Sequence, residues 1–464
     1  MTDYTLVGNT MKTLVLISLI LVAAVLRADN SPIMVIHEWG TFTSFQDEAG
    51  NSIGGINTDD EPVPRFVHDL ASMLLIRPTE LPPTFFQGAP SCHPDVTMRL
   101  ETPVLYFHSP KHQDKPLTTD VSVGFHGGWL TQFYPSAEAV APGVESWPKF
   151  GHLRTDTTGW LSWTALSVGG NANGPATTDH VWTSPRAVDA ASVTTTDHES
   201  EKFLFYRGVA HIDAPVQVVR DSTHDQLLLH TRLDSVQQSK ELLIGSLWLA
   251  EIRTDGSSAF RKLKPMIGNG VTRATFDDAE FSRQNAALFR ADMHRTLVKE
   301  GLFDDEAEAL LNTWELSYFK SPGLRLFFIV PRAWTDTYLP LRISIPAEVQ
   351  RVMVGRIELV TPGQRELLRR IATGPAPNMQ SFRKAVMEAP SNRGFDGDRF
   401  SLVAAGRAPI ASLGVPVPEV YQAYLNLGRF RNALILDEEQ RRPTAALRQF
   451  IQDYNLKAYE IHVR

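Results

Sequence analysis

Seven side chains in this chain stand where they could do chemistry. Glu38, Glu101, Glu201 and Arg207 each lie in a run of apolar and aromatic residues, and His37, His108 and His112 lie in or beside the same runs. A carboxylate among apolar neighbours must find a donor or take a raised pKa, which is how a catalytic acid is made. Glu38 and Glu101 are the candidate acid and base of a hydrolase, since glycoside hydrolysis needs two carboxyls held ~5–9 Å apart. The histidines suggest a different chemistry, because imidazoles on a β framework suit zinc or copper. Trp39, Tyr106 and Tyr206 flank these positions and are the candidates for ligand contact. Trp129, Trp147, Trp160, Trp163 and Trp182 lie in Gly-, Ser- and Thr-rich stretches, where flat rings can grip a glycan or a peptide.

The elements that must position these groups read first as strands. Alternation along Ile33–Phe45 puts Val35, His37, Trp39 and Thr41 on one face and Ile36, Glu38 and Phe42 on the other. His37 and Glu38 therefore point apart and cannot share a metal on a regular strand. Glu201 and Arg207 share a face with Phe203 and Phe205. They stand about 20 Å apart at ~3.3 Å per residue, so each must pair elsewhere, and Glu38 or Glu101 is the expected partner of Arg207. His108 and His112 have helical spacing, but Ser109-Pro110 between them breaks a helix. Cys92-His93, in a proline-flanked loop, is a further candidate for that metal set. The sequence has no HExxH, no Gly-x-Ser-x-Gly, no phosphate-binding loop and no dinucleotide fingerprint.

Residues 33–270 form a β-rich domain in this reading, with short Val-, Ile-, Thr- and aromatic-rich runs set between Gly, Pro, Asn and Asp clusters. Thirteen of the fourteen histidines and seven of the nine tryptophans fall between His37 and His294, so candidate chemistry concentrates there. Helical spacing takes over near Asp277. One helix runs from an Asp277 or Asp278 cap to about Lys299 and ends at Gly301, and a second opens with Asp304-Asp305-Glu306. Residues 275–373 thus read as a helical hairpin plus an α+β segment, 374–398 as a linker-rich region, and 399–464 as mainly helical. The fold class is α+β, with an antiparallel β-sandwich-like domain in front.

Composition narrows the function classes. The chain has 464 residues, 43% hydrophobic and 21% charged, which supports a large core. A formal charge of −7 and a pI of about 6.1 exclude a nucleic-acid binder with a basic face. A single cysteine excludes an intramolecular disulfide and multi-cysteine metal sites. The apolar run from Leu14 to Leu26, after Lys12 and before Asp29-Asn30, has the layout of a signal peptide over residues 1–28, with Met11 the better start. Its thirteen positions, broken only by Ser18, give about 20 Å at 1.5 Å each, short of the ~30 Å core of a bilayer. The protein is expected to be exported, periplasmic or extracellular, and to meet the membrane only through an uncleaved signal segment.

Three strings stand out as a set: His37-Glu38-Trp39-Gly40-Thr41-Phe42-Thr43-Ser44, Glu101-Thr102-Pro103-Val104-Leu105-Tyr106-Phe107 and Glu201-Lys202-Phe203-Leu204-Phe205-Tyr206-Arg207-Gly208. With Gly301-Leu302, Trp314, Gly323-Leu324-Arg325 and Val354-Gly355-Arg356-Ile357-Glu358, they make the chain resemble a family of exported bacterial proteins of unknown function. The resemblance covers about residues 35–362, implies export and a shared fold, and carries over no catalytic residue. The leading expectation is a non-catalytic binding or envelope-associated protein with a glycan or peptide ligand and no cofactor. The alternative is a secreted hydrolase using carboxylate acid–base chemistry or a His-bound zinc or copper.

Overall fold

The computed structural model describes residues 34–58, 62–70, 85–108, 116–145, 149–170, 172–232, 242–268, 270–374, 378–393, 399–404 and 408–461. Residues 1–28, on which the expected signal segment falls, and also His112 and Trp147, lie outside them. The fold is α+β, built on one large mixed sheet. Its central strand is β1 (Met34–Gln46), flanked by β2 (Met98–His108). Further strands of the first half are β3 (Leu117–His126), β4 (Gly128–Tyr134), β5 (Thr158–Val168) and β6 (Leu204–Ala210). A small separate sheet is made of β7 (Val216–Asp221), β8 (Gln226–Thr231) and β11 (Val271–Ala274). The large sheet is completed by β9 (Leu247–Ile252), β10 (Ser258–Lys262), β12 (Gly323–Ile329), β13 (Leu341–Ile343) and β14 (Ala347–Leu359). Along its main path the order is β5-β4-β6-β2-β1-β14-β12-β9-β10.

That order corrects the expected domain division. All thirteen residues of β1 pair in parallel with β14, from Met34 against Ala347 to Gln46 against Leu359. β1 pairs antiparallel with β2 on its other side. The sheet therefore runs across the boundary expected near residue 270, and the front domain is not a self-contained antiparallel sandwich. β1 is buried on both faces, which is why MVIHEWGTFTSFQ carries Trp and Phe as well as β-branched residues on both sides. The alternation holds: Ile36 and Phe42 enter one apolar cluster and Trp39 another.

Each face of the sheet has its own cover. On the Ile36 face, Val121, Val123 and Phe125 of β3, Leu161 and Trp163 of β5, and Val216, Val218, Leu227 and Leu229 of β7 and β8 complete the core. On the Trp39 face lies a helical hairpin. After α1 (His180–Arg186), its members are α2 (Asn285–Lys299) and α3 (Asp304–Thr313). Ala307, Leu310, Leu311, Trp314 and Tyr318 make the expected apolar face and are all buried there. α2 ends as its sequence requires: Gly301 takes φ +111°, its N–H reaches the Val298 carbonyl, and Leu302 N–H reaches that of Leu297. Its start differs from expectation. Asp277 and Glu280 close a separate turn, in which Glu280 takes the Asp277 N–H at 2.7 Å, and the helix begins only at Asn285.

The helices that follow include α5 (Pro362–Thr373), α6 (Met379–Glu388), α7 (Glu419–Asn426), α8 (Arg431–Arg441) and α9 (Ala445–Asp453), with α4 (Arg332–Tyr338) earlier between β12 and β13. α6 corrects the linker reading of 374–398, because Phe382 and Val386 bury into the helical cluster around Phe45, Trp129 and Val360. Ion pairs fasten this layer to β1 and its following turn: Arg365 to Glu48 at 2.7 Å and Arg441 to Asp47 at 2.6 Å. At the same end of the sheet, Glu358 accepts from Arg325 at 2.7 Å and from Arg356 at 2.5 Å. Burial acts to raise the Glu358 carboxyl, but the two guanidinium groups outweigh it and hold it below the ordinary carboxylate range.

Candidate metal centre

The one group of three His, Cys, Asp or Glu ligand atoms close enough to share an ion, among the described residues, is His37, His108 and Glu306. Three elements supply it. His37 stands on β1 on the helical face, as alternation requires. His108 ends β2 on the same face, two residues from Tyr106, which lies opposite His37 in the antiparallel register. Glu306 occupies the first turn of α3, where a carboxylate complements the helix dipole and accepts the Phe303 N–H at 2.7 Å. Its Oε2 lies 2.7 Å from His37 Nδ1 and its Oε1 lies 2.9 Å from His108 Nε2. All three ligand atoms fall within 4.8 Å of one another.

The surroundings favour an ionised Glu306 carboxylate. Burial acts to raise the Glu306 carboxyl, yet the hydrogen bonds to His108 and His37 outweigh it, and the group sits below its ordinary value. Phe303 caps the cluster, with ring centroids 4.4 Å from His37 and 4.7 Å from His108. Phe303 is 47% exposed and the His108 side chain 12%, so the cluster lies just beneath the surface. Zinc bonds of about 2.0–2.1 Å place tetrahedral ligand atoms roughly 3.3 Å apart, so the His–Glu separations of 2.7 and 2.9 Å, made to different carboxylate oxygens, would have to open.

The other predicted residues do not join this cluster. Glu38, on the opposite face of β1, accepts from Tyr206 Oη and pairs with Arg351. Complete burial pushes its carboxyl up, with Arg351 acting in the opposite sense. Glu101 accepts from Thr43 at 2.8 Å and from Arg429 at 2.6 Å, and pairs with Arg99 at 3.1 Å. Thr43 belongs to the face on which Thr41 meets Tyr318 of the helical layer, so Glu38 and Glu101 face opposite ways and cannot flank one bond. Glu201 is held by Trp182 Nε1 at 2.8 Å and by Arg186. Arg207 donates to Thr102 Oγ1 rather than to Glu38. All four are fully buried, and each serves a polar network inside the core.

Trp39, Tyr106 and Tyr206 have no exposed surface and cannot meet a ligand directly. Trp129, Trp163 and Trp182 are core residues too, because their rings fill the space between sheet and covers. Cys92 and His93 lie under the C-terminal tail: Tyr459 N–H donates to the Cys92 carbonyl at 3.0 Å and the Tyr459 ring stacks on His93. Burial pushes the Cys92 thiol up to about 11, and neither residue belongs to the cluster of His37, His108 and Glu306. Glu306 is the member of the cluster that sequence reasoning missed. Its only local signal, an acid in the first turn after Gly301-Leu302-Phe303, is fully accounted for by helix capping.

No family model and no curated protein matches the chain. Solved structures give weak likenesses. A Danio rerio Fcho1 mu homology domain with bound Eps15 peptide is 9% identical, with a TM-score of 0.27 over 71% of this chain and 96% of that one. A yeast delta-COP-I mu-homology domain is also 9% identical, with a TM-score of 0.22 over 70% of this chain and 95% of that one. At these scores neither assigns a fold family or a ligand.

Proposed function

We propose that the protein is an exported metal-dependent hydrolase whose His37, His108 and Glu306 hold a zinc ion. The observation that carries the reading is the convergence of two imidazole nitrogens and a carboxylate within 4.8 Å, from three different elements. Three protein ligands of this type leave a fourth zinc position for water, the pattern of catalytic rather than structural sites. Zinc in such a site lowers the pKa of bound water toward neutrality, which is the chemistry hydrolysis needs. Export is supported by the apolar segment Leu14–Leu26 with its basic and polar flanks. The carboxylate-pair hydrolase loses ground, because Glu38 and Glu101 belong to separate buried ion pairs.

The 2.7 and 2.9 Å separations favour a second reading, in which neutral imidazoles donate to Glu306 and clasp the helical hairpin to the sheet without a metal. Elemental analysis of the untagged, secreted protein separates the two. The zinc reading expects about one equivalent of zinc in wild type, lost in His108→Ala and in Glu306→Gln while the circular dichroism spectrum is kept. A folded wild type that stays metal-free after dialysis against micromolar zinc overturns it and leaves the clasp.

A further inference from the structure

The small sheet of β7, β8 and β11 adjoins a two-stranded ribbon in which Leu243–Ile244 pairs with Met266–Ile267. Thr231, the last residue of β8, donates to the Gly268 carbonyl, and the Gly268 N–H donates to the Leu242 carbonyl at 3.3 Å. Strand alternation decides what these elements show to each side. Val216, Val218, Leu227, Leu229 and Ala274 of the sheet enter the apolar cluster around Ile36, and so do Ile244 and Met266 of the ribbon. The residues between them face away from that core. In the ribbon these are Leu243 and Ile267, directly opposite each other and 52% and 63% exposed. Val271, one turn after Ile267, opens β11 and is 44% exposed. On the sheet, half-buried Val219 and Leu228 continue the outward face in the register row of Arg273. Single exposed aliphatics are ordinary, but a face made of them marks a contact surface.

The charges on this face decide what it would meet. Arg273 stands two residues past Val271 on the same side of β11, and Lys264 stands three residues before Ile267. Both are exposed, and among the described residues neither has an ion pair or a hydrogen bond to its side chain. The nearby acids are already engaged. Asp213 pairs with Arg232 and Asp225 with Arg220. Asp221, with His224 at 2.7 Å, lies at the hairpin end of β7, away from the ribbon. Aliphatic tips flanked by free cations match an anionic lipid surface, which takes the tips into its interfacial region and sets phosphates against the cations. A second copy of the chain, docked by two-fold symmetry, would bring the same two cations into one interface without an acid to meet them. The chain as a whole carries −7, so an anionic surface repels most of the molecule and selects this face.

We infer that Leu243, Ile267 and Val271, with Lys264 and Arg273, form a docking face for an anionic lipid bilayer. The face covers the Ile36 side of the large sheet, whereas His37, His108 and Glu306 lie on the Trp39 side, and it does not rest on the metal reading.

Co-sedimentation of the untagged, secreted protein with large unilamellar vesicles tests the inference. Vesicles of equimolar phosphatidylcholine and phosphatidylglycerol are expected to bind it at least about tenfold more tightly than pure phosphatidylcholine, because two cations meet a charged surface. Raising the salt is expected to weaken that binding. Leu243→Ser with Ile267→Ser is expected to lower it by at least about tenfold at an unchanged melting temperature, since both side chains stand in solvent. Lys264→Gln with Arg273→Gln is expected to remove the preference for the anionic vesicles. Failure of the wild type to sediment with the mixed vesicles overturns the inference, and so does equal binding to both kinds. Undiminished sedimentation of the folded Leu243→Ser, Ile267→Ser variant places the contact elsewhere, on an uncleaved signal segment for example, and overturns it too. A dimer seen by analytical ultracentrifugation and lost in that variant, without vesicle binding, gives the face to a second copy instead.

Discussion

Replacing Glu38 by leucine strips the central sheet of a buried anion and leaves Arg351 with only Asp336 and the Leu339 carbonyl as acceptors. Both members of the pair are almost completely buried. Breaking such a pair from one side costs about 3–5 kcal/mol, because the surviving charge keeps its desolvation penalty without its partner. The lost bond from Tyr206 adds about 0.5–1.5 kcal/mol. Removing both charges, in Glu38→Leu with Arg351→Met, takes away the penalty with the attraction and should land within about 2 kcal/mol of wild type. The measurement is urea denaturation followed by tryptophan fluorescence on wild type, both single variants and the double variant. Comparable slopes license comparison of midpoints. The expected result is a double variant more stable than either single one, hence a coupling energy of at least about 2 kcal/mol. A Glu38→Leu protein within about 1 kcal/mol of wild type, or a double variant as unstable as the sum of the singles, would refute the reasoning.

Three further outcomes follow from the same interior. Glu358 is held below the ordinary carboxylate value by Arg325 and Arg356 against the pull of burial. Its contribution is therefore complete above the unfolded carboxyl value near 4.5 and is lost as pH falls through its lower folded value. Acid titration of stability should show Glu358→Gln less sensitive than wild type below pH ~4.5, and an unchanged acid limb would contradict the assignment. Gly301→Ala places a side chain at φ +111° with its Cβ 2.7 Å from the Gln350 amide nitrogen. It should destabilise by about 1–2 kcal/mol, read by the same urea midpoints. Cys92 is buried, with its thiol pushed up to about 11. A disulfide reagent at pH 8 should label it only in urea, and rapid labelling of the folded chain would show that its cover opens.

Much of the architecture is legible locally. The hydrophobic stripe from Ala307 to Tyr318 and the Gly301 terminus mark the helical hairpin, because helix periodicity and left-handed backbone are written within a few residues. The opposed directions of His37 and Glu38 follow from strand alternation alone, and both residues point as that alternation requires. The linker reading of 374–398 failed for the complementary reason. Its Gly, Pro, Asn and Ser residues mark the ends of α6, and the helix between them owes its place to Phe382 and Val386 packing on distant partners.

What the sequence by itself determined is therefore the class of most segments and the face on which the β1 residues lie, and its single cysteine excludes an intramolecular disulfide. Only the tertiary structure decided which strands are neighbours. β1 is completed by β14 from the far end of the sheet-forming chain, a parallel pairing that no local signal announces. Only that structure set Glu306 against His37 across 269 positions of sequence, and sent Glu38 and Glu101 to separate partners. Faces are a property of one strand's period, whereas contacts between faces depend on how the whole core closes.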